Sequence, residues 1–259
     1  MIKLIASDLD GTLLLHGAQS LNPEIYDIIR SLKKKGIHFV AASGRQIHSQ
    51  LRLFEPVADQ ISYLSENGGV CIHGGQVIGI FPTEKELIFR ILHEIKKMSD
   101  IMPVLSSHDA CYVEKGHDYL VNHMRHDLGN HVIEVNDFAE VTVPIVKTAF
   151  WDPSGTYQHA DHFKKLFSHE IRVMTAGNGW VDFMPFETSK ASSLRVLLEK
   201  LSILPEEVIA FGDQENDIEM LSLAGKSYAM SSAVPAAKAV ADEVTDSVEN
   251  TLKKLLETL

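Results

Sequence analysis

Asp8-Leu9-Asp10-Gly11-Thr12 directly follows a short apolar run near the amino terminus. Side chains two apart project to the same side of an extended chain, so Asp8 and Asp10 face one site. One carboxylate is suited to attack, the other to protonate the leaving oxygen and then activate water. Gly11 lets the backbone turn sharply behind them. A second acidic group, Gly212-Asp213-Gln214-Glu215-Asn216-Asp217, follows the apolar Val208-Ile209-Ala210-Phe211 at the head of a helix. Offsets of three and four bring Asn216 and Asp217 near Asp213. Carboxylates beside a phosphate dianion require a cation, and Mg²⁺ takes a few carboxylates together with phosphate oxygen and water. Ser43-Gly44-Arg45 offers a hydroxyl and turn amides to a phosphate oxygen, and Lys190, near the start of a helix, offers a point charge.

Each group also has a plainer reading. A lone Asp-x-Asp after a strand is commonly a solvated turn. Ser43-Gly44 alone is a simple turn with Arg45 capping or pairing, Lys190 alone an exposed helix residue, and Asn67-Gly68 turn chemistry first of all. Catalysis is favoured because both acidic groups fall at expected strand ends of the same sheet. The eight histidines from His108 to His169 include His117, His123, His126 and His131, which form no recognisable ligand pair and read as surface residues. Cys71 and Cys111 read as buried free thiols. Trp180 and Phe183 suit either a core or a pocket lining.

The elements that must aim these groups follow from hydrophobic periodicity. Residues 3–7, 37–42 and 61–64 read as buried strands, separated by helices at 23–35 and 46–53, which predicts a parallel sheet. Glycine pairs at 68–69 and 74–75 bracket a small hairpin. From about residue 82 the rhythm changes. A helix at 84–98 leads into strands near Val104, Tyr112 and residues 145–150, with helices near Tyr119 and at 159–167, and strands at 171–175 and 181–184. The short turns predict an antiparallel sheet with helices on one face. After Pro185 the first pattern resumes with a helix at 189–200, a strand at 208–211, a helix at 215–223 and a strand at 227–230. The expected fold is α/β, a doubly wound parallel-sheet (Rossmann-like) core of residues 1–81 and 187–259, with an inserted α+β cap at 82–186.

Composition narrows the partners. With 45% hydrophobic and 23% charged residues the chain is that of a packed globular protein. Its 24 Lys and Arg against 35 Asp and Glu leave a net charge of -11, which repels nucleic acid and anionic membranes. No stretch approaches the ~20 apolar residues of a membrane span. Charge interrupts the amino-terminal apolar run, and the two cysteines lie far apart, so a reducing, cytoplasmic setting is expected.

Taken in order, Asp8 to Thr12, Ser43-Gly44, Lys190 and Gly212 to Asp217 resemble the four motifs of the haloacid dehalogenase superfamily of phosphatases. The large insertion, with Glu66-Asn67-Gly68-Gly69 before it, resembles the Cof-type branch. The resemblance covers nearly the whole chain, and its first and fourth motifs are highly specific together. It implies that Asp8 is the nucleophile and Asp10 the general acid and base. Asp8, the Asp10 backbone carbonyl and Asp213 would hold Mg²⁺, with Asp217 organising the metal shell. The Leu9 backbone, Ser43, Gly44, Lys190 and Asn216 would hold phosphate, and Thr12, Arg45 and Asn67 complete the expected phosphate and substrate set. Two departures are visible: Ala191 follows Lys190 where the family usually has Gly, and Met230-Ser231-Ser232 lacks an Asn common after that strand.

The expected activity is therefore Mg²⁺-dependent hydrolysis of a small phosphorylated metabolite, such as a sugar phosphate, nucleotide or phosphorylated cofactor, through an aspartyl phosphate. The cap would close over the site and select the leaving group. A phosphomutase using the same aspartyl phosphate, or a non-catalytic metabolite-binding protein, would share these residues.

Overall fold

The computed structural model describes residues 1–258. It divides into two compact units: Met1–Arg45, Gln50–Gly79 and the chain from Ser189 onward form one, while Gln46–Ser49 and Ile80–Thr188 form the other.

The chain begins β1 (Leu4–Ser7), α1 (Glu24–Lys34), β2 (His38–Ala42), α2 (Ile47–Leu53), β3 (Ser62–Ser65), β4 (Val70–His73) and β5 (Gln76–Ile80). Ile25, Ile28, Ile29 and Leu32 make α1 amphipathic, and all four are buried. Gly36, at φ +75°, ends α1. Its N–H donates to Lys33 O and that of Ile37 to Leu32 O, the paired bonds of a left-handed helix stop.

The inserted unit runs α3 (Lys85–Ile95), β6 (Met102–Ser106), β7 (Cys111–Glu114), α4 (Asp118–Asn122), β8 (Val132–Val135), β9 (Lys147–Trp151), α5 (Ala160–Phe167), β10 (Arg172–Thr175) and β11 (Trp180–Met184). The chain then returns through α6 (Lys190–Leu201), β12 (Val208–Gly212), α7 (Ile218–Leu223), β13 (Lys226–Met230), α8 (Pro235–Val240), β14 (Glu243–Thr245) and α9 (Val248–Thr258).

The first unit's sheet has the order β14-β13-β12-β1-β2-β3-β4-β5. It is parallel from β14 through β3 and turns antiparallel only at β4. Winding moves one way from β1 to β3 and the other way from β12 to β14, so it reverses between β1 and β12. Such a switch point leaves a crevice at the carboxyl ends of the two strands, where open α/β sheets bind ligands. The register sets Ser7 beside Phe211, and Asp8 N–H donates to Phe211 O at 3.0 Å. Asp8 and Asp213 therefore leave neighbouring strands on the same edge.

The inserted sheet, β10-β11-β9-β6-β7-β8, departs from the expected pattern in two respects. It is not wholly antiparallel, because β7 pairs parallel with β8, a strand that the sequence reading did not contain. Its helices are not all on one face. Phe150, Val181 and Phe183 pack with Phe163 and Phe167 of α5 and Ile91 and Ile95 of α3. Val104, Cys111, Val113 and Trp151 pack with Leu120 and Val121 of α4. Phe150 and Trp151 are consecutive in β9 and so point to opposite faces, which puts α4 opposite α3 and α5. Both corrections share a cause: parallel strands need a crossover, and α4 is the one joining β7 to β8. Trp180 packs against the α4 cluster and Phe183 lies in the α3/α5 cluster, so both serve the unit's core.

Two smaller differences concern the first unit. The expected helix at 215–223 opens as a 3₁₀ turn over Glu215–Asp217 before α7 begins. The edge strand β14 is only three residues long and too polar to register as an apolar run. Among the described residues, no helix is long and apolar enough to cross a membrane.

Candidate active site

Asp8 sits just past β1, 5% exposed. Lys190, the first residue of α6, is completely buried, and its Nζ donates to Asp8 Oδ1 at 2.5 Å and to Asp217 Oδ1 at 2.6 Å. Ser189 caps that helix: its Oγ accepts from Ser192 N–H at 3.1 Å, and Ser192 Oγ accepts from Ser189 N–H at 2.9 Å. The first turn of α6 is thus locked, and Lys190 reaches both carboxylates with Ala191 beside it in place of glycine.

Asp217 does more than carry charge. Its Oδ2 accepts from the backbone N–H groups of Asp213 at 2.9 Å and Gln214 at 3.0 Å, which shapes the turn after β12. Gly212 is required there, since a Cβ would lie 2.5 Å from the Asp217 Cβ. Asp213 accepts from Thr12 Oγ1 at 3.1 Å and from Gln214 Nε2 at 3.0 Å. Gly11, at φ +90°, passes so close to Asp213 that a Cβ would stand 2.2 Å from its Oδ2. Thr12 is buried with its hydroxyl on Asp213, and Gln214 is a participant that the sequence reading missed, because a glutamine beside an acidic motif carries no spacing signal.

Asp8, Asp213 and Asp217 each offer a ligand atom within 4.8 Å of the others. Three carboxylates converge here on one ammonium. Burial pushes the Asp8 carboxyl well above the usual carboxylate range against the pull of Lys190, and burial also raises Asp213. Burial opposes the Lys190 charge too, yet Asp217 and Asp8 together hold its pKa above that of an ordinary lysine. Lys190 keeps its charge because two carboxylates face it. The remaining excess of buried acid fits a divalent cation, and the cluster is one that can hold a metal ion. Among the described residues no histidine belongs to any such cluster. His123 instead pairs with Asp127 at 2.7 Å and stacks on Trp151.

Asp10 is not part of that cluster. Its side chain is 54% exposed, and Arg45 holds both carboxylate oxygens, Nε to Oδ2 at 2.8 Å and Nη2 to Oδ1 at 2.6 Å. Ser43 and Gly44 follow β2, and Ser43 Oγ accepts from Arg45 N–H at 3.1 Å. Asn67 accepts at Oδ1 from Asn216 Nδ2 at 2.9 Å. Leu9 is fully buried between Asp8 and Asp10. The expected residues thus fall into an acidic centre around Lys190, an Asp10–Arg45 pair, and a polar group of Ser43, Gly44, Asn67 and Asn216.

A profile of the haloacid dehalogenase-like hydrolases matches residues 5–251. The chain belongs to that family. A 5-amino-6-(5-phospho-D-ribitylamino)uracil phosphatase of Escherichia coli, YbjI, is 27% identical over 254 residues, covering 93% of this chain and 89% of the relative. A haloacid dehalogenase-like hydrolase of known structure from Bacteroides thetaiotaomicron is 26% identical, covers 98% of this chain and 100% of its own, and superposes with a TM-score of 0.86. The subclass IIB sugar phosphatase BT4131, at 21% identity, 98% coverage of both chains and a TM-score of 0.81, shares the fold. The profile match is to the Cof-type branch of that family. The chain is a phosphoric monoester hydrolase, and the non-catalytic reading is set aside.

Proposed function

We propose that the protein is a cytoplasmic, Mg²⁺-dependent phosphatase of a small phosphorylated metabolite, acting through a covalent phosphate on Asp8. The observation that carries this reading is the buried Asp8 carboxylate at the switch point of the sheet, held by Lys190 and flanked by Asp213. A fixed carboxylate with an adjacent cation is what in-line attack on a phosphomonoester requires.

Asp8 attacks phosphorus, and the bond to the leaving oxygen breaks as Asp10, protonated and with one oxygen freed from Arg45, delivers its proton to it. Asp10, now a carboxylate, takes a proton from water, whose oxygen attacks the aspartyl phosphate and regenerates Asp8. Lys190 offsets charge beside the nucleophile throughout. Ser43, Gly44, Asn216 and the Leu9 backbone bind the phosphoryl oxygens, while Thr12 orients Asp213. Asp8, Asp213 and the Asp10 backbone carbonyl would hold Mg²⁺, whose charge would neutralise the phosphoryl oxygens as they approach these carboxylates. Asp217 has both oxygens engaged, so its part is to hold Lys190 and the turn. The inserted unit is assigned the choice of leaving group. The substrate class is a phosphomonoester of a small polar alcohol, in keeping with a relative named for a phosphoribitylaminouracil and a fold shared with a sugar phosphatase.

The test uses an aryl phosphate under Mg²⁺. Asp8→Asn should abolish turnover while keeping the fold, because an amide cannot attack phosphorus. In Asp10→Asn, turnover should fall by ~10²–10⁴-fold. Acid quenching should then trap more phosphorylated protein than in wild type, since water lacks its base. Wild-type rates in Asp8→Asn would overturn the reading.

A further inference from the structure

Glu66, Asn67 and Gly68 are consecutive left-handed residues, at φ +51°, +54° and +93°. Side chains resist this conformation by about 1–2 kcal/mol per residue, so the surroundings must enforce it. They do so through the loop after β2: Glu66 N–H donates to Arg45 O at 3.2 Å and Asn67 N–H to Ser43 O at 3.0 Å.

The turn touches three separate parts of the site. Gly44 packs against the Asn67 amide, where a Cβ would lie 2.9 Å from Oδ1. Gly68 packs on the backbone just before Lys190, where a Cβ would lie 2.1 Å from Ser189 O. The Asn67 Oδ1 itself takes one N–H of Asn216. An unrestrained asparagine amide presents oxygen or nitrogen equally well, and only nitrogen attracts a phosphate. Holding one N–H of Asn216 fixes which end is which and leaves the second N–H to donate.

We propose that Asn67 is a positioning residue, which strengthens phosphate binding by orienting the Asn216 amide rather than by touching the phosphate. This rests on the phosphatase reading above, through the role given there to Asn216. The strained turn is retained because glycine at position 67 would relax the backbone but lose the amide.

That contrast supplies the variant. Asn67→Gly satisfies the left-handed backbone and should keep the thermal midpoint close to wild type. The probes are orthovanadate and inorganic phosphate as competitive inhibitors of aryl phosphate hydrolysis, with KM and kcat measured separately. Asn67→Gly should raise KM and both inhibition constants about tenfold, the scale of one charge-assisted hydrogen bond. The deciding comparison is a cycle with Asn216→Ala. If Asn67 acts through Asn216, the double variant is no worse than Asn216→Ala alone. Losses that multiply would mean that Asn67 binds phosphate itself, and unchanged inhibition constants in Asn67→Gly would mean that it does nothing there; either overturns the proposal. A purely structural role would lower the midpoint without moving the inhibition constants, which also overturns it. Failure of the phosphatase reading would appear separately, as absence of turnover in the wild type.

Discussion

Arg45 grips both carboxylate oxygens of Asp10, at 2.8 and 2.6 Å, so the group assigned to proton transfer is held by a fork rather than left to rotate on the surface. Two parallel N–H···O bonds set direction as well as position. Arg45→Ala should therefore cost activity selectively. With alkyl phosphates, whose leaving oxygen needs a proton, kcat should fall roughly tenfold, inside the ~10²–10⁴ range of the whole acid–base effect. With an aryl phosphate, whose leaving oxygen needs no proton, the first-turnover burst of leaving group should fall much less, although the common second step slows too. Equal losses in the first-turnover rate across leaving groups would instead place Arg45 on the phosphate.

Lys190 bonds both Asp8 and Asp217, and all three are buried. Removing one partner of a buried ion pair typically costs ~3–5 kcal/mol, because the other charge is left uncompensated. Lys190→Met should lower the thermal midpoint by about 6–20 °C in the metal-free protein, given the ~2–4 °C per kcal/mol of a chain this size. Thermal melts by circular dichroism check this. A midpoint within 2 °C or so of wild type would show that the carboxylates are accommodated without it.

Asp213 has only neutral side-chain donors, Thr12 and Gln214, among its hydrogen bonds described above. Mg²⁺ binding should therefore raise the wild-type midpoint, by the equivalent of ~2.7 kcal/mol at a hundredfold excess over Kd. Asp213→Asn should remove most of that shift and weaken Mg²⁺ in a calorimetric titration. EDTA should abolish wild-type turnover, and excess Mg²⁺ should restore it. An unchanged titration in Asp213→Asn would take this residue off the ligand set.

Cys71 and Cys111 are both buried and form no disulfide, and burial pushes the Cys71 thiol up to about 11. The thiolate is the reactive form, and it becomes abundant only above that pH. Native protein at pH 8 should show almost no reaction with a thiol-specific disulfide reagent over minutes. Denaturant should release two thiols per chain. Rapid reaction of either thiol in the native protein would reveal an opening of the surrounding core.

Much of this architecture is written locally. Ile25, Ile28, Ile29 and Leu32 mark one stripe of α1, and the apolar 208–211 run marks β12, because periods of 3.6 and 2 arise within a few residues. The two acidic motifs and Lys190 are equally visible, since their residue types and their places after strands or at a helix start lie within short windows. The inserted sheet was read less well. Nothing within residues 132–135 announces that β8 will run parallel to β7, for that depends on α4 forming a crossover between them.

What tertiary structure alone decided is which of these residues meet. Asp8 and Asp213 are 205 positions apart, and they become neighbours because β1 pairs with β12. The pairing of Arg45 with Asp10, of Thr12 with Asp213, and of Asn67 with Asn216 likewise depends on loops at the carboxyl ends of different strands. Periodicity says which way a side chain faces along its own element, but a contact between elements is set by strand order and register. The sequence therefore determined the chemical groups and the elements that carry them, and only the folded sheet determined that Lys190 would stand between two carboxylates while Asp10 was held by an arginine.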